Sequence, residues 1–244
     1  MLKRSISQLV GGLLLLSGAF PATAASIQVS PVRVMFSAGQ PVTALSVRNT
    51  GDEPIVMQLE VMSWSQQNGT DVYTPTRELL ATPPIFTVPP GKAQVLRMGL
   101  RRPADAAREL TYRLFLQEVP PPPKPGFQGL QMALRFGVPV FVAPATASTQ
   151  PPVLSWRVYL TPDGGLEVGL ANNGASHVRV SSLKLSTAGG KELAVQQKAD
   201  YVLSGQTHNW PVKDFKVPSG SSVHISAQTD AGELDGGIVT VQPQ

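Results

Sequence analysis

Apolar and polar positions alternate along this chain in short bursts. Ile27-Gln28-Val29, Leu45-Ser46-Val47 and Val56-Met57-Gln58-Leu59-Glu60-Val61 change character at nearly every step, and so do residues 95–100, 112–119 and 130–142. A period of two belongs to a strand with one face on a core. No window carries a helical period with end caps over three turns; residues 104–110 leave room for one short turn of helix. Pro and Gly, 23 and 22 in number, fall between the alternating runs and set the turns there. Many short strands separated by such turns predict a sandwich or barrel.

The pattern also repeats. Leu45-Ser46-Val47-Arg48-Asn49-Thr50-Gly51 is echoed by Val168-Gly169-Leu170-Ala171-Asn172-Asn173-Gly174, in each case a strand and then a turn that tolerates positive φ. Val88-Pro89-Pro90-Gly91 is echoed by Val217-Pro218-Ser219-Gly220, each before another alternating run. The two signals are separated by 37 residues in one half and 43 in the other. Two similar β-domains in tandem explain both echoes, with residues 143–152, rich in Pro, Ala, Ser and Thr, as the linker.

The start of the chain reads differently. Lys3 and Arg4 precede an apolar run from Leu9 to Phe20, and Pro21-Ala22-Thr23-Ala24 has the small-x-small pattern that signal peptidase cuts. The run is shorter than the ~20 residues of a membrane span. Residues 1–24 are therefore expected to be a cleaved signal peptide, and the remainder an exported, soluble protein that does not insert into the membrane. About 220 residues remain, enough for two domains of roughly 100 each. The expected domains are 25–147 and 148–244.

Composition removes several kinds of chemistry. There is no cysteine, which excludes disulfides, thiol nucleophiles and cysteine-held zinc. Without Lys3 and Arg4, 18 basic residues face 16 acidic ones, a charge of +2, too small for a nucleic-acid footprint. His177, His208 and His224 lack metal-ligand spacing and read as surface or strand residues. The acids between Asp230 and Asp235 do not have the spacing of a calcium loop. No nucleophile elbow, phosphate loop or dinucleotide fingerprint is present. Trp64, Trp156 and Trp210 read as core or interface aromatics. The expectation is a binding protein, with no catalytic residues, metal or cofactor.

Four stretches of the first half carry a family signature: Ala81-Thr82-Pro83-Pro84; Val88-Pro89-Pro90-Gly91 with Val95-Leu96-Arg97; Arg108-Glu109 leading into 112–120; and Leu130-Gln131-Met132-Ala133-Leu134 in a run ending at Pro144. In order and spacing they resemble the periplasmic pilus-assembly chaperones of the PapD type. Val29-Ser30-Pro31-Val32-Arg33, Ser37-Ala38-Gly39-Gln40 and the run from Arg135 to Phe141 are most similar to the archaic branch. In the second half the resemblance rests on length, on Asn172–Gly174 and on Asp230. It implies an all-β protein of two tandem immunoglobulin-like sandwiches arranged as a boomerang. It further implies a chaperone of the chaperone–usher pathway that binds, folds and caps pilus or fimbrial subunits by donor-strand complementation, then delivers them to an outer-membrane usher. Self-association when free would hide the lent edge. The alternative is a cell-surface structural or adhesive sandwich module, which leaves the matches from Arg33 to Pro144 unexplained.

The resemblance also assigns residues. Leu130, Met132, Leu134 and Phe136 alternate with Gln131, Ala133 and Arg135. Alternation alone points this row at the domain's own core; the resemblance implies that it is lent to a subunit. Residues of the other parity, with Val138, Val140 and Phe141, would then pack inward if the strand bends near Gly137-Val138-Pro139. The family holds the subunit's C-terminal carboxylate with two basic residues. One matches Arg33; the other, a lysine, falls on Pro139. Arg113 and Arg135 are the substitutes, with Arg113 expected opposite 135–137. Glu109 and Asp230 match two members of the family's interdomain ion-pair set, whose third member, an arginine, falls on Ala143. Pro120–Pro123 and Pro125 would stiffen the loop before the lent strand.

Overall fold

The computed structural model describes residues 27–243 except 38, 124, 127, 147–152, 188, 198 and 213–216. The expected signal peptide and the second part of the expected linker lie outside the described residues. The strands are β1 (Ile27–Ser30), β2 (Val34–Phe36), β3 (Val42–Asn49), β4 (Ile55–Gln67), β5 (Thr70–Pro75), β6 (Leu79–Thr82), β7 (Ile85–Val88), β8 (Ala93–Leu100), β9 (Leu110–Glu118) and β10 (Arg135–Val142) in the first half. The second half contributes β11 (Leu154–Leu160), β12 (Leu166–Asn172), β13 (Val178–Thr187), β14 (Glu192–Gln196), β15 (Asp200–Val202), β16 (Gln206–Val212), β17 (Ser222–Thr229) and β18 (Gly232–Gln242).

In the first half a sheet ordered β1-β3-β8-β6 packs on one ordered β2-β10-β9-β4-β5, to which β7 adds through β4. Alternation decides what lies between them. Leu45, Val47, Leu96 and Met98 point from one sheet, and Met57, Leu114, Leu116, Val138 and Val140 from the other, into one buried core. Each such side chain contributes about 1.5–3 kcal/mol of burial. The second half forms one wrapped sheet ordered β14-β13-β17-β18-β11-β12-β16, with β15 on β13. Strand β18 pairs antiparallel with β17 and parallel with β11, and so joins the two layers. Val158, Leu170, Val180, Leu185, Trp210 and Ile225 fill that core. The architecture is two immunoglobulin-like sandwiches, all β.

Both sequence echoes are structural twins. Asn49 is buried; its Nδ2 donates to Glu53 O (2.7 Å) and Val88 O (3.0 Å), while Gly51 N–H donates to its Oδ1 (2.9 Å). Asn172 repeats the arrangement with Ser176 O (2.8 Å), Val202 O (3.0 Å) and Gly174 N–H (2.9 Å). Lys92 N–H closes a turn on Pro89 O at 3.1 Å around Gly91 (φ 68°), as Ser221 N–H does on Pro218 O at 3.2 Å around Gly220 (φ 81°). The room for helix at 104–110 is not used: the Asp105 carboxylate accepts from Ala107 N–H and Arg108 N–H (both 2.8 Å), which closes a bend instead. Those two bonds hold its carboxyl below the usual carboxylate range.

Candidate functional site

Val138, Val140 and Val142 of β10 are buried in the first core, and Phe136 packs half-buried against it. Leu130, Met132 and Leu134 continue this row with the same parity, so no bend is needed to bring Val138 and Val140 inward. Phe141 has the opposite parity and leaves for the domain junction. The strand expected over 130–142 begins only at Arg135. Its neighbour explains the shortening: Glu118, the last residue of β9, donates its N–H to Leu134 O (2.8 Å) and accepts from Leu134 N–H at Oε2 (3.2 Å). Beyond it run Pro120–Pro123, which have no N–H for a ladder. Leu130 and Met132 are left 85% and 74% exposed. On its other side β10 meets β2 only over Val140–Val142, so Arg135–Pro139 present an open edge among the described residues.

The basic candidates lie on the outer face of the same sheet. Val140 pairs in parallel with Val34, which places Arg33 beside Pro139, and Pro139 pairs with Arg113. Arg33 and Arg113 thus share a row across three strands, with backbones about 10 Å apart. Arg113 is opposite Pro139 and not 135–137 as expected; Gln117 faces Arg135. The Arg113 side chain reaches across Gly137 instead, where a Cβ would stand 2.7 Å from its Nε. Its guanidinium lies 4.8 Å from the Trp64 ring centre. The buried Nε of Arg113 and the buried Nε1 of Trp64 have no hydrogen-bond partner among the described residues. Arg135 is occupied: it pairs with Glu60 (3.4 Å) and sits 4.3 Å over the Phe115 ring. Arg33 pairs with Asp230 (3.5 Å). Arg113 alone of the three meets no carboxylate among the described residues.

Aromatic and amide side chains close the junction behind this row. Trp64, Phe141 and Leu203 are buried together with Tyr73 and Tyr201 around them. Burial, with the Asp71 carboxylate next, pushes the Tyr73 hydroxyl up to about 12, against a smaller opposing pull from Arg113. Gln66 is buried and its side chain is fully engaged. Nε2 donates to Asp71 Oδ1 (2.9 Å) and Tyr201 O (2.6 Å), Oε1 accepts from Leu203 N–H (3.0 Å), and the Gln66 N–H donates to Gln206 Oε1. The Asn68-Gly69 hairpin tip reaches β16, where Asn209 N–H donates to Gly69 O (2.9 Å).

Glu109 and Asp230 both span the junction, but with different partners. Glu109 Oε2 accepts from the His177 N–H (2.9 Å) and contacts its ring Nδ1 (2.7 Å), with both side chains buried. Asp230 takes Arg33. The arginine absent at Ala143 is thus replaced by two separate links. His177, expected at the surface or in a strand, is stacked on Phe141 at 3.7 Å, and His208 is largely buried 3.8 Å from Asp200. Neither histidine nor Gln66 was legible as a junction residue. Gln66 and His208 lie on strands and His177 just before one, and in each case the other domain supplies the cover: Tyr201 and Leu203 over Gln66, Glu109 and Phe141 over His177, and Gln66 against His208. The one local signal is the Asn68-Gly69 turn, which predicts a hairpin tip projecting past the sheet.

A family model for pili and flagellar-assembly chaperones, PapD N-terminal domain, matches residues 26–148. The chaperone protein FimB/FhaD of Bordetella pertussis is 33% identical over 171 residues, 64% of this chain and 67% of that one. Among solved structures, the archaic Csu chaperone–tip adhesion subunit complex (CsuC–CsuE) of Acinetobacter baumannii aligns with a TM-score of 0.67 at 22% identity, over 90% of this chain and 100% of that one. The CupB2 chaperone of Pseudomonas aeruginosa aligns at 0.56 and 21%, over 86% and 99%.

Proposed function

This chain belongs to the pili and flagellar-assembly chaperones of the PapD N-terminal-domain family, and from that premise we propose that pilin subunits are received on the open edge of β10. It is a periplasmic chaperone of the chaperone–usher pathway and not an enzyme; its partners are pilin or fimbrial subunits and an outer-membrane usher. Residues 1–24 are its cleaved leader, 25–147 the subunit-binding domain and 148–244 the second domain.

The observation that supports the reading is the unpaired edge at Arg135–Pro139, preceded by Leu130 and Met132 at the surface. An incomplete subunit sandwich supplies a strand for that edge. The backbone of 130–139 then becomes an inner strand, and Leu130, Met132 and Leu134 extend the existing Phe136–Val138–Val140 row into a core shared by both proteins. Free, such a row is an aggregation hazard, and capture or self-association removes it. The subunit's C-terminal carboxylate is held by Arg113 with Arg33. Arg113 takes the place of the missing lysine from the adjacent strand, through the gap that Gly137 leaves, while Arg135 stays with Glu60.

The test is affinity purification of the tagged mature protein from periplasm in which pilins of the same source are co-expressed. The expected result is a stable one-to-one complex. Met132→Glu, at a surface position, should weaken it about ten- to a hundred-fold with thermal stability unchanged, and Leu134→Glu should abolish it. Charge reversal at Arg33 and Arg113 together should also abolish capture. A complex that survives both classes of variant would remove the lent strand and the carboxylate anchor alike.

A further inference from the structure

Asp230 belongs to the second domain, in the turn between β17 and β18, yet its Oδ2 faces Arg33 of the first at 3.5 Å. The turn fixes that orientation. Asp230 N–H donates to Arg179 O (3.1 Å), and Arg179 N–H donates to Asp230 Oδ1 (3.2 Å). One carboxylate oxygen is thereby used within the second domain, and the other is presented across the cleft to a single guanidinium nitrogen. The side chains are 40% and 34% exposed. An ion pair this long and this wet is worth little and exchanges freely, unlike the buried Glu109–His177 contact that shares the junction. Arg33 also stands on the row shared with Arg113, whose guanidinium meets no carboxylate among the described residues.

We propose that Asp230 is an internal stand-in for the subunit's terminal carboxylate: it occupies Arg33 in the free chaperone and is displaced on capture. The proposal rests on the carboxylate-anchor reading above. Exchange of one carboxylate for another leaves the charge on Arg33 balanced throughout, so the cation is never stranded as the subunit settles. Asp230 therefore subtracts from the affinity for any ligand ending in a free carboxylate and sets the threshold a subunit must exceed. Ligands that lack the carboxylate do not compete for Arg33 and escape this penalty.

The probe is a synthetic peptide with the C-terminal sequence of a pilin from the same source, made as free acid and as amide and titrated into the mature full chain. Asp230→Asn keeps the oxygen that accepts from Arg179 N–H and removes the charge. It should bind the acid about two- to five-fold more tightly at low salt, bind the amide unchanged, and lose its advantage as salt rises. Unchanged or weaker acid binding, reproduced with Asp230→Ser, overturns the proposal and makes Asp230 a simple hinge staple. The anchor reading fails separately, if wild type does not prefer acid to amide or if Arg33→Ala with Arg113→Ala retains that preference.

Discussion

At the scale of single residues, a buried polar group has to complete its hydrogen bonds inside the protein, and Asn49 and Asn172 do so in the same way in each half. The repeat was legible because the strand, the asparagine and the glycine are contiguous in sequence; the bonds to Val88 and Val202, 39 and 30 residues away, were not. Tyr73 owes its environment to distant parts of the fold. Burial raises its hydroxyl from 10.0 to about 12, with the Asp71 charge adding to the shift and Arg113 opposing it. A value raised on folding means stability that is complete below pH ~10 and is lost as pH climbs through about 12. Absorbance titration should find two late-ionising tyrosines, Tyr73 and the still more strongly raised Tyr112, of which Tyr73→Phe removes the earlier, and Tyr73→Phe should flatten the alkaline fall in stability. An early, ordinary phenolate at this position would mean that the junction is open to water. His177 was misread for a related reason. A histidine next to a strand gives no local sign that another domain supplies Glu109 and Phe141 to cover it.

At the scale of elements, alternation marked β1, β3, β4, β8, β9 and β10 in the first domain and β12 in the second, and the run at β10 is informative. Alternation continues back to Leu130, but a strand needs a neighbour, and the prolines after β9 withdraw it; the ladder therefore begins at Arg135. Alternation identified the row, and pairing decided its state. The β4–β5 hairpin shows the converse. Asn68 (φ 50°) and Gly69 (φ 76°) make the two-residue turn their sequence favours, and the tip lands on β16, which no pattern forecasts. A Cβ at Gly69 would run into the Asn209 side chain, whereas one at Gly39 (φ 78°) would meet nothing. Both Gly→Ala changes incur the left-handed penalty of ~1 kcal/mol. Only Gly69→Ala should lose more than that, by about 1–3 kcal/mol as the tip is pushed off β16. Equal unfolding midpoints for the two variants would show that the tip bears no load at the junction.

At the scale of the whole molecule, the proposed carboxylate anchor is backed by the junction between the sandwiches. Arg113 rests on Trp64, two residues before Gln66 on β4, Trp64 packs on Tyr201 of the second domain, and Arg33 reaches Asp230 there, so the second domain touches the support of one cation and the partner of the other. The family's ion-pair set pointed to Glu109 and Asp230 with its arginine missing at Ala143; in the structure the two carboxylates meet His177 and Arg33, and amides and aromatics fill the rest of the junction. Gln66 is the central link. Gln66→Ala strands the Leu203 N–H and the Tyr201 carbonyl away from water, at a cost of about 1–3 kcal/mol for each unpaired group. Hydrogen exchange at Leu203 should rise ten-fold or more while amides in the middle of β9 and β12 keep their protection, and small-angle scattering should show a broadened interdomain distance. Subunit capture should weaken as well, although Gln66 lies on none of the surfaces assigned to the subunit, since Trp64, on which Arg113 rests, loses the packing of Tyr201 behind it. Loosened scattering with undiminished capture would mean that the first domain alone carries the anchor. Unchanged exchange at Leu203 would shift the burden of the hinge to Glu109–His177 and the Phe141 cluster.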